Sequence, residues 1–286
     1  MPERPDLEYV VPILRRELVG RTIRALRTKK PVVWRVAVAG TPEGLLVELS
    51  FADVQRRAHF VLFQFASPAA IELVVSPMLA GRFALADRRT RSPGDLAVGM
   101  TLSDGRELRY RDEVQMGKLY LIAAGAWQQV PGLGTVGLDV LDDGVFTREA
   151  FRAAARTRRD QIKVFLMDKT ALDALGNAYA DEVLWEAGVH PKRPVRSLSA
   201  DDLDRVHDAI VRVLGAARST IAARQPPLDE KLRDFLRVRG RAGHPCARCG
   251  ATIRTARVHA GDAHFCPHCQ PDTRRSVFVD WRKLEA

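Results

Sequence analysis

Four cysteines carry the most specific chemistry in the chain. Cys246-Ala-Arg-Cys249 and Cys266-Pro-His-Cys269 are two CxxC knuckles separated by 16 residues. Each knuckle offers two thiolates to one ion, and a pair at this separation closes a tetrahedral site of the zinc-ribbon type. His259, His264 and His268 lie close by, but four thiolates already fill a structural site. One structural Zn2+ on Cys246, Cys249, Cys266 and Cys269 is therefore expected. Between the knuckles, 251–257 and 263–265 read as two short strands around a turn. The chain starts Met-Pro-Glu-Arg-Pro-Asp, without the apolar stretch of a secretion signal. The cysteines are thus expected as metal ligands rather than disulfides, in a cytoplasmic protein.

Around the knuckles the charge is uneven. Residues 231–286 hold 12 Lys+Arg and 5 Asp+Glu, a net of 12 − 5 = +7 within a total of +10. A basic C-terminal module is the electrostatic footprint of a nucleic-acid binder, because phosphate contacts release counterions. The 286 residues, 46% hydrophobic and 28% charged, are enough for two domains with proper cores, which excludes wholesale disorder. No apolar run approaches the roughly 20 residues of a bilayer span, so no membrane partner is expected.

The elements that must position this chemistry differ along the chain. Leu7, Val10, Val11, Ile13, Leu14 and Leu18 recur at helical spacing, behind Pro5 and Asp6 and before Gly20. From 23 to 121 the pattern changes to short apolar or alternating runs at 34–38, 44–51, 59–65, 71–75, 82–85, 107–110 and 118–121, the signature of an all-β sandwich or barrel. A Gly- and Asp-rich connector covers 130–143. Helices are predicted at 147–156, 160–168, 177–187 and 200–223, with Ser199 capping the last. A short helix at 229–236 and a pre-ribbon strand at 238–241 follow.

The order of these pieces resembles the formamidopyrimidine-DNA glycosylase/endonuclease VIII family of base-excision repair enzymes. The resemblance rests on Pro2-Glu3 at the chain start, the helix and β domain behind it, the segment Gly176-Asn177-Ala178-Tyr179-Ala180-Asp181-Glu182 with Ala187-Gly188-Val189-His190-Pro191 after it, and the four-cysteine ribbon. Gly132-Leu-Gly-Thr-Val-Gly-Leu-Asp139 resembles the linker into the family's helix-two-turns-helix domain, and Ile162 to Asp168 its second helix. The implied fold class is α+β multidomain. An N-terminal helix and β-sandwich domain (1–130) is followed by a linker (131–143), a helical DNA-binding domain (144–237), the zinc-ribbon finger (238–270) and a tail (271–286). The implied activity is a DNA glycosylase with AP lyase activity on damaged bases or abasic sites in double-stranded DNA, acting as a monomer.

The resemblance assigns residues as well. Removal of Met1 would free the Pro2 amine, with an ordinary α-amino pKa of roughly 8, to attack deoxyribose C1′ and leave an iminium from which strand-cleaving elimination proceeds. Glu3 is suited to protonate the sugar ring oxygen and then to shuttle protons. Asn177 is expected to meet a phosphate at its helix N-terminus, and Lys163 to contact DNA. Three departures stand out. His59 occupies the place of a phosphate-contacting lysine, which predicts a pH-dependent grip. Gly261 occupies the place of the ribbon's phosphate-gripping arginine, leaving Arg257 or Arg254 to substitute. Leu79, Val114 and Met116 stand for the inserted Met-Arg-Phe trio, with Gln115 as a polar replacement for the arginine. Only 16 residues separate Ile221 from Val238, fewer than a lesion-capping loop needs. The readings left open are an active glycosylase and a weakened relative that binds damaged or abasic DNA without efficient excision. A zinc-ribbon transcription or RNA-binding factor explains only the basic module.

Overall fold

The computed structural model describes residues 3–67, 70–173, 175–258 and 261–272. Pro2, His259 and the tail beyond 272 lie outside them. The chain divides into two compact units that are not contiguous in sequence. The first takes the residues up to Phe146 together with Met167–Gly176 and Val211–Phe235; the second takes Thr147–Leu166, Asn177–Ile210 and the chain from Leu236 on. These units cut across the boundaries expected at 130 and 143.

In the first unit, helix α1 (Arg4–Leu18) starts at the N-cap Glu3 and buries Leu7, Val11, Leu14 and Leu18 on one face, the stripe its spacing predicts. Nine strands follow: β1 (Ile23–Thr28), β2 (Trp34–Val36), β3 (Ser50–Arg57), β4 (Phe60–Ala66), β5 (Ile71–Ser76), β6 (Arg82–Asp87), β7 (Leu96–Leu102), β8 (Arg106–Arg111) and β9 (Lys118–Ala123). They form two sheets, ordered β1-β7-β8-β6 and β2-β9-β5-β4-β3, antiparallel throughout except for the parallel pair β2 and β9. Apolar side chains of both sheets and of α1 share one core, including Leu14, Phe63, Phe83, Val98 and Leu121.

The predicted strand at 44–51 is instead helix α2 (Pro42–Leu46) followed by the start of β3. Thr41 decides this locally: its hydroxyl accepts the Gly44 N–H at 3.1 Å, and Pro42 sits in the first helical turn. The expected helix at 229–236 is also absent. That segment is fastened to the first unit by side chains: Tyr9 donates to Pro226 O at 2.8 Å, Arg111 pairs with Asp229, Lys231 donates to Leu79 O at 3.2 Å and Arg233 grips Asp6 through both terminal nitrogens at 2.9 and 2.6 Å.

The second unit contains α3 (Arg148–Ala155), α4 (Ile162–Met167, whose last residue belongs to the first unit), α5 (Asn177–Ala187) and the start of α6 (Ala200–Arg224), then the ribbon hairpin β10 (Arg254–Val258) and β11 (Gly261–Phe265). Ser199 caps α6 by accepting the Asp202 N–H at 3.1 Å. No strand forms at 238–241, because the buried Glu182 carboxylate takes the N–H groups of Arg237, Val238 and Arg239 at 2.8, 2.9 and 2.8 Å. A side chain thus satisfies the donors that a ladder would have used.

Candidate active site and zinc ribbon

Glu3 is buried at the start of α1. Its N–H donates to Asp6 Oδ2 at 2.8 Å, half of a capping box, and its own Oε2 accepts the Gly176 N–H at 3.0 Å. A Cβ at Gly176 would fall 2.5 Å from the Glu3 Cδ, so only glycine lets this backbone approach the carboxylate. One further group of the first unit, Lys169, faces the same charge. Lys169 has a buried Nζ with no hydrogen-bond partner among the described residues; burial lowers its pKa, while Glu3 and Asp173 oppose the shift. Lys169 was not foreseen, although it directly follows the matched run ending at Asp168.

His59 is 7% exposed, and burial, reinforced by the positive charge of Lys169, pushes its pKa down to about 3. Its Nδ1 is buried without a hydrogen-bond partner among the described residues. The expectation of a titrating phosphate grip is therefore corrected: near neutral pH this imidazole is uncharged, because Phe60, stacked at 4.1 Å, and the surrounding core exclude the water that would stabilise a cation.

Beneath Glu3 lies an ionic lattice that local spacing could not reveal. Arg4 bonds Asp139 at 2.8 Å and Asp173 at 2.7 Å, while Arg56 bonds Glu8 at 3.0 Å, Asp139 at 3.0 Å and Asp173 at 2.8 Å. It ties α1, β3 and the segment that carries Gly176 together, so the acid and the glycine that positions it share one anchor. Asp173 keeps one oxygen buried without a hydrogen-bond partner among the described residues, and burial raises its pKa against the pull of Arg56 and Arg4.

Leu79, Val114 and Met116 are 56%, 52% and 41% exposed, unusual for large apolar side chains. Their two loops meet at one buried residue: a Cβ at either Gly81 or Gly117 would collide with the Tyr110 hydroxyl. The second loop is built around Asp112, whose carboxylate accepts the N–H groups of Val114, Gln115 and Gly117 at 3.1, 3.0 and 2.7 Å. Gln115 takes the left-handed φ of 58° at its tip. Gly81, two residues after Leu79, and Gly117, next to Met116, thus both lie against the Tyr110 hydroxyl.

In the second unit the four cysteine sulfurs lie within 4.8 Å of one another, with contacts of 3.9, 3.5 and 3.4 Å. A tetrahedral zinc with bonds of about 2.3 Å needs sulfurs about 3.8 Å apart. The donor set fits the ion. Trp185 donates its indole N–H to Cys246 Sγ at 3.3 Å, and the Arg248 guanidinium stacks on the same indole at 4.2 Å.

Asn177 opens α5 and donates to the Asp262 carboxylate at 3.3 Å. Arg257 is exposed on β10, opposite Asp262 in the hairpin register. Lys163 is corrected. Its side chain has no exposure; Nζ donates to Asp181 Oδ1 and to Asp262 O, both at 2.6 Å. An ammonium so enclosed braces the ribbon hairpin against α5 and has no face left for a phosphate.

Comparison with known proteins decides the family. The model described as the formamidopyrimidine-DNA glycosylase N-terminal domain matches residues 1–119, that of the formamidopyrimidine-DNA glycosylase H2TH domain 136–224, and that of the zinc finger found in FPG and IleRS 243–271. A formamidopyrimidine-DNA glycosylase of Exiguobacterium sp. is 32% identical over 94% of this chain and 99% of its own length. The one from Symbiobacterium thermophilum is 34% identical over 95% and 90%. The chain belongs to the formamidopyrimidine-DNA glycosylase family. Among solved structures, a Lactococcus lactis Fpg bound to DNA with an abasic site superposes with a TM-score of 0.84 at 26% identity, covering 94% of this chain and all of that one. Membership in the glycosylase family makes the protein a base-excision DNA glycosylase and AP lyase that carries one structural zinc on its four cysteines. Among the described residues no helix is long and apolar enough to cross a membrane.

Proposed function

We propose that this glycosylase removes damaged bases and cleaves abasic sites in duplex DNA through the amine of Pro2, with Glu3 moving the protons, as a monomer in the cytoplasm. The observation that carries the reading is the buried Glu3 carboxylate held against the Gly176 N–H, one residue from the amine and beside the unpartnered Lys169 ammonium. Attack of the amine on C1′ forms the N–C1′ bond as the base departs with its electron pair and the amine gives up its proton. The C1′–O4′ bond then opens, its oxygen taking the proton from Glu3, to leave the C1′ iminium; this acidifies C2′–H, and elimination breaks the C3′–O bond. Glu3 supplies a proton to the ring oxygen first and relays protons later; the Lys169 charge favours its carboxylate in between. Asn177 and Arg257 serve as contacts to the DNA backbone, the former with the dipole of α5 behind it.

Substrate choice follows from the exposed wedge. Val114 supports a base stack without reading a Watson-Crick edge, so the roughly 1–3 kcal/mol of discrimination a bidentate arginine supplies is missing. The 226–235 segment is pinned rather than free to cap a flipped purine. Weak opposite-base preference and poor 8-oxoguanine release relative to abasic-site cleavage are expected. Lactococcus lactis relatives were solved with an abasic site and with an oxidised pyrimidine in DNA, which supports the substrate class.

The test is borohydride trapping and single-turnover excision on duplexes that vary in lesion and opposite base. An adduct mapping to Pro2 is expected, and Glu3→Gln should slow base release by about 100-fold or more while sparing trapping on preformed abasic sites. A protein with a blocked N-terminus that traps as well as the native one would remove Pro2 from the mechanism. Fast 8-oxoguanine release strictly opposite cytosine would overturn the reading of Val114 and of the pinned segment.

A further inference from the structure

The tip of the ribbon hairpin carries an arrangement that zinc binding does not use. Asp262 lies on β11 with its side chain 55% exposed, yet three donors from separate parts of the second unit converge on its carboxylate. Asn177 Nδ2 at the start of α5 and Arg239 Nη2 approach Oδ1, each at 3.3 Å, and His264 Nε2 approaches Oδ2 at 3.3 Å. His264 Nδ1 accepts the Gly240 N–H at 2.9 Å, which leaves Nε2 as the ring's donor in the neutral tautomer. A guanidinium, an amide and an imidazole N–H around one oxyanion form a phosphate-type constellation.

The donors are built and the carboxylate is not. Arg239 is fixed from below by Asp181 at 3.1 Å, and Asp181 is buried with Lys163 at 2.6 Å and the His264 N–H at 3.1 Å. Lys163 holds the backbone carbonyl of Asp262, not its side chain. All three contacts to the Asp262 carboxylate are longer than the roughly 2.7–2.9 Å of a relaxed charge-assisted bond. They describe a half-exposed group laid over a preformed site, which leaves for solvent at little cost.

We infer that Arg239, Asn177 and His264 form a binding site for a DNA backbone phosphate, and that the Asp262 carboxylate imitates this phosphate in the free protein. The site rests on the reading of Asn177 as a backbone contact and adds to it the cation that Gly261 does not supply. On binding, the phosphate takes the three donors and Asp262 swings out, so each association displaces an internal anion. Asp262 thereby weakens binding to every duplex alike, a brake on affinity with no sequence preference.

The test is titration of a duplex carrying a tetrahydrofuran abasic analogue, at several salt concentrations, with zinc content and unfolding checked for each variant. Asp262→Asn keeps the carbonyl that holds Lys163 and should tighten Kd about 5-fold or more. Arg239→Met should weaken Kd about 10-fold and reduce the salt slope by about one. In the Arg239→Met/Asp262→Asn protein the gain from Asp262→Asn should fall below about 2-fold. Unchanged affinity in Asp262→Asn overturns the inference, as does a gain that persists in full without Arg239, since that would mark a general effect of charge. Asn177→Ala with native affinity overturns the separate reading of Asn177, whereas the Arg239–Asp262 pair stands or falls on the double variant.

Discussion

Lys163 and Lys169 lie six residues apart, and both ammonium groups are buried with pKa values lowered by burial. Their surroundings differ. In the second unit, Lys163 bonds a buried aspartate and a carbonyl, and that aspartate is in turn bonded by Arg239 and the His264 N–H. In the first unit, Lys169 Nζ, His59 Nδ1 and Asp173 Oδ1 are all buried without a hydrogen-bond partner among the described residues. A buried ammonium without a hydrogen bond costs stability. That cost separates a cluster beside Glu3 with unsatisfied polar atoms from one whose polar atoms hold the fold together.

The largest test of that contrast swaps methionine for each lysine. Lys163→Met leaves Asp181 without its closest cation and should cost roughly 3–5 kcal/mol in urea unfolding. Its single-turnover rate per folded molecule should stay close to native. Lys169→Met should change stability by less than about 1 kcal/mol, since no bond is lost, yet slow excision by about 100-fold. Equal losses of stability in the two variants would erase the distinction.

A smaller effect sharpens the first region alone. The folded pKa of His59 is about 3, below its unfolded value of about 6.5, so the folded state binds fewer protons between those limits. The contribution of the neutral ring is present above pH 6.5 and lost as pH falls, by about 1.4 kcal/mol per unit, or roughly 3 kcal/mol by pH 4.5. His59→Leu should flatten the acid limb of unfolding stability by that amount. A variant with the native pH dependence would place a charged imidazole in the folded site.

The smallest effect belongs to the satisfied region. Trp185→Phe removes the indole N–H from Cys246 Sγ and should cost about 1 kcal/mol, a roughly fivefold loss of zinc affinity in competition with a chelator. An unchanged affinity would reduce Trp185 to packing.

Much of this contrast was legible in part. The four cysteines announced their site because knuckle spacing is a local property. α1 and α5 were readable from periodicity and from the matched segment around Asn177. β1 and β7 were not singled out: β1 is exposed along much of its length, and β7 is buried at nearly every position, so neither alternates cleanly. The expected helix at 229–236 failed because Asp6 and Arg111, distant in sequence, hold that segment in turns and irregular backbone.

The sequence by itself determined the family and the metal with its four cysteine ligands, which depend on residue type and short-range order. Only the tertiary structure decided which charges are available. The same histidine that reads as a pH switch is neutral once burial and the charge of Lys169 act on it, and the lysine that reads as a DNA contact is consumed by Asp181. The Gly176 N–H meets Glu3 across 173 residues. Protonation and pairing are set by burial and by partners brought together from distant sequence, and no spacing rule encodes either.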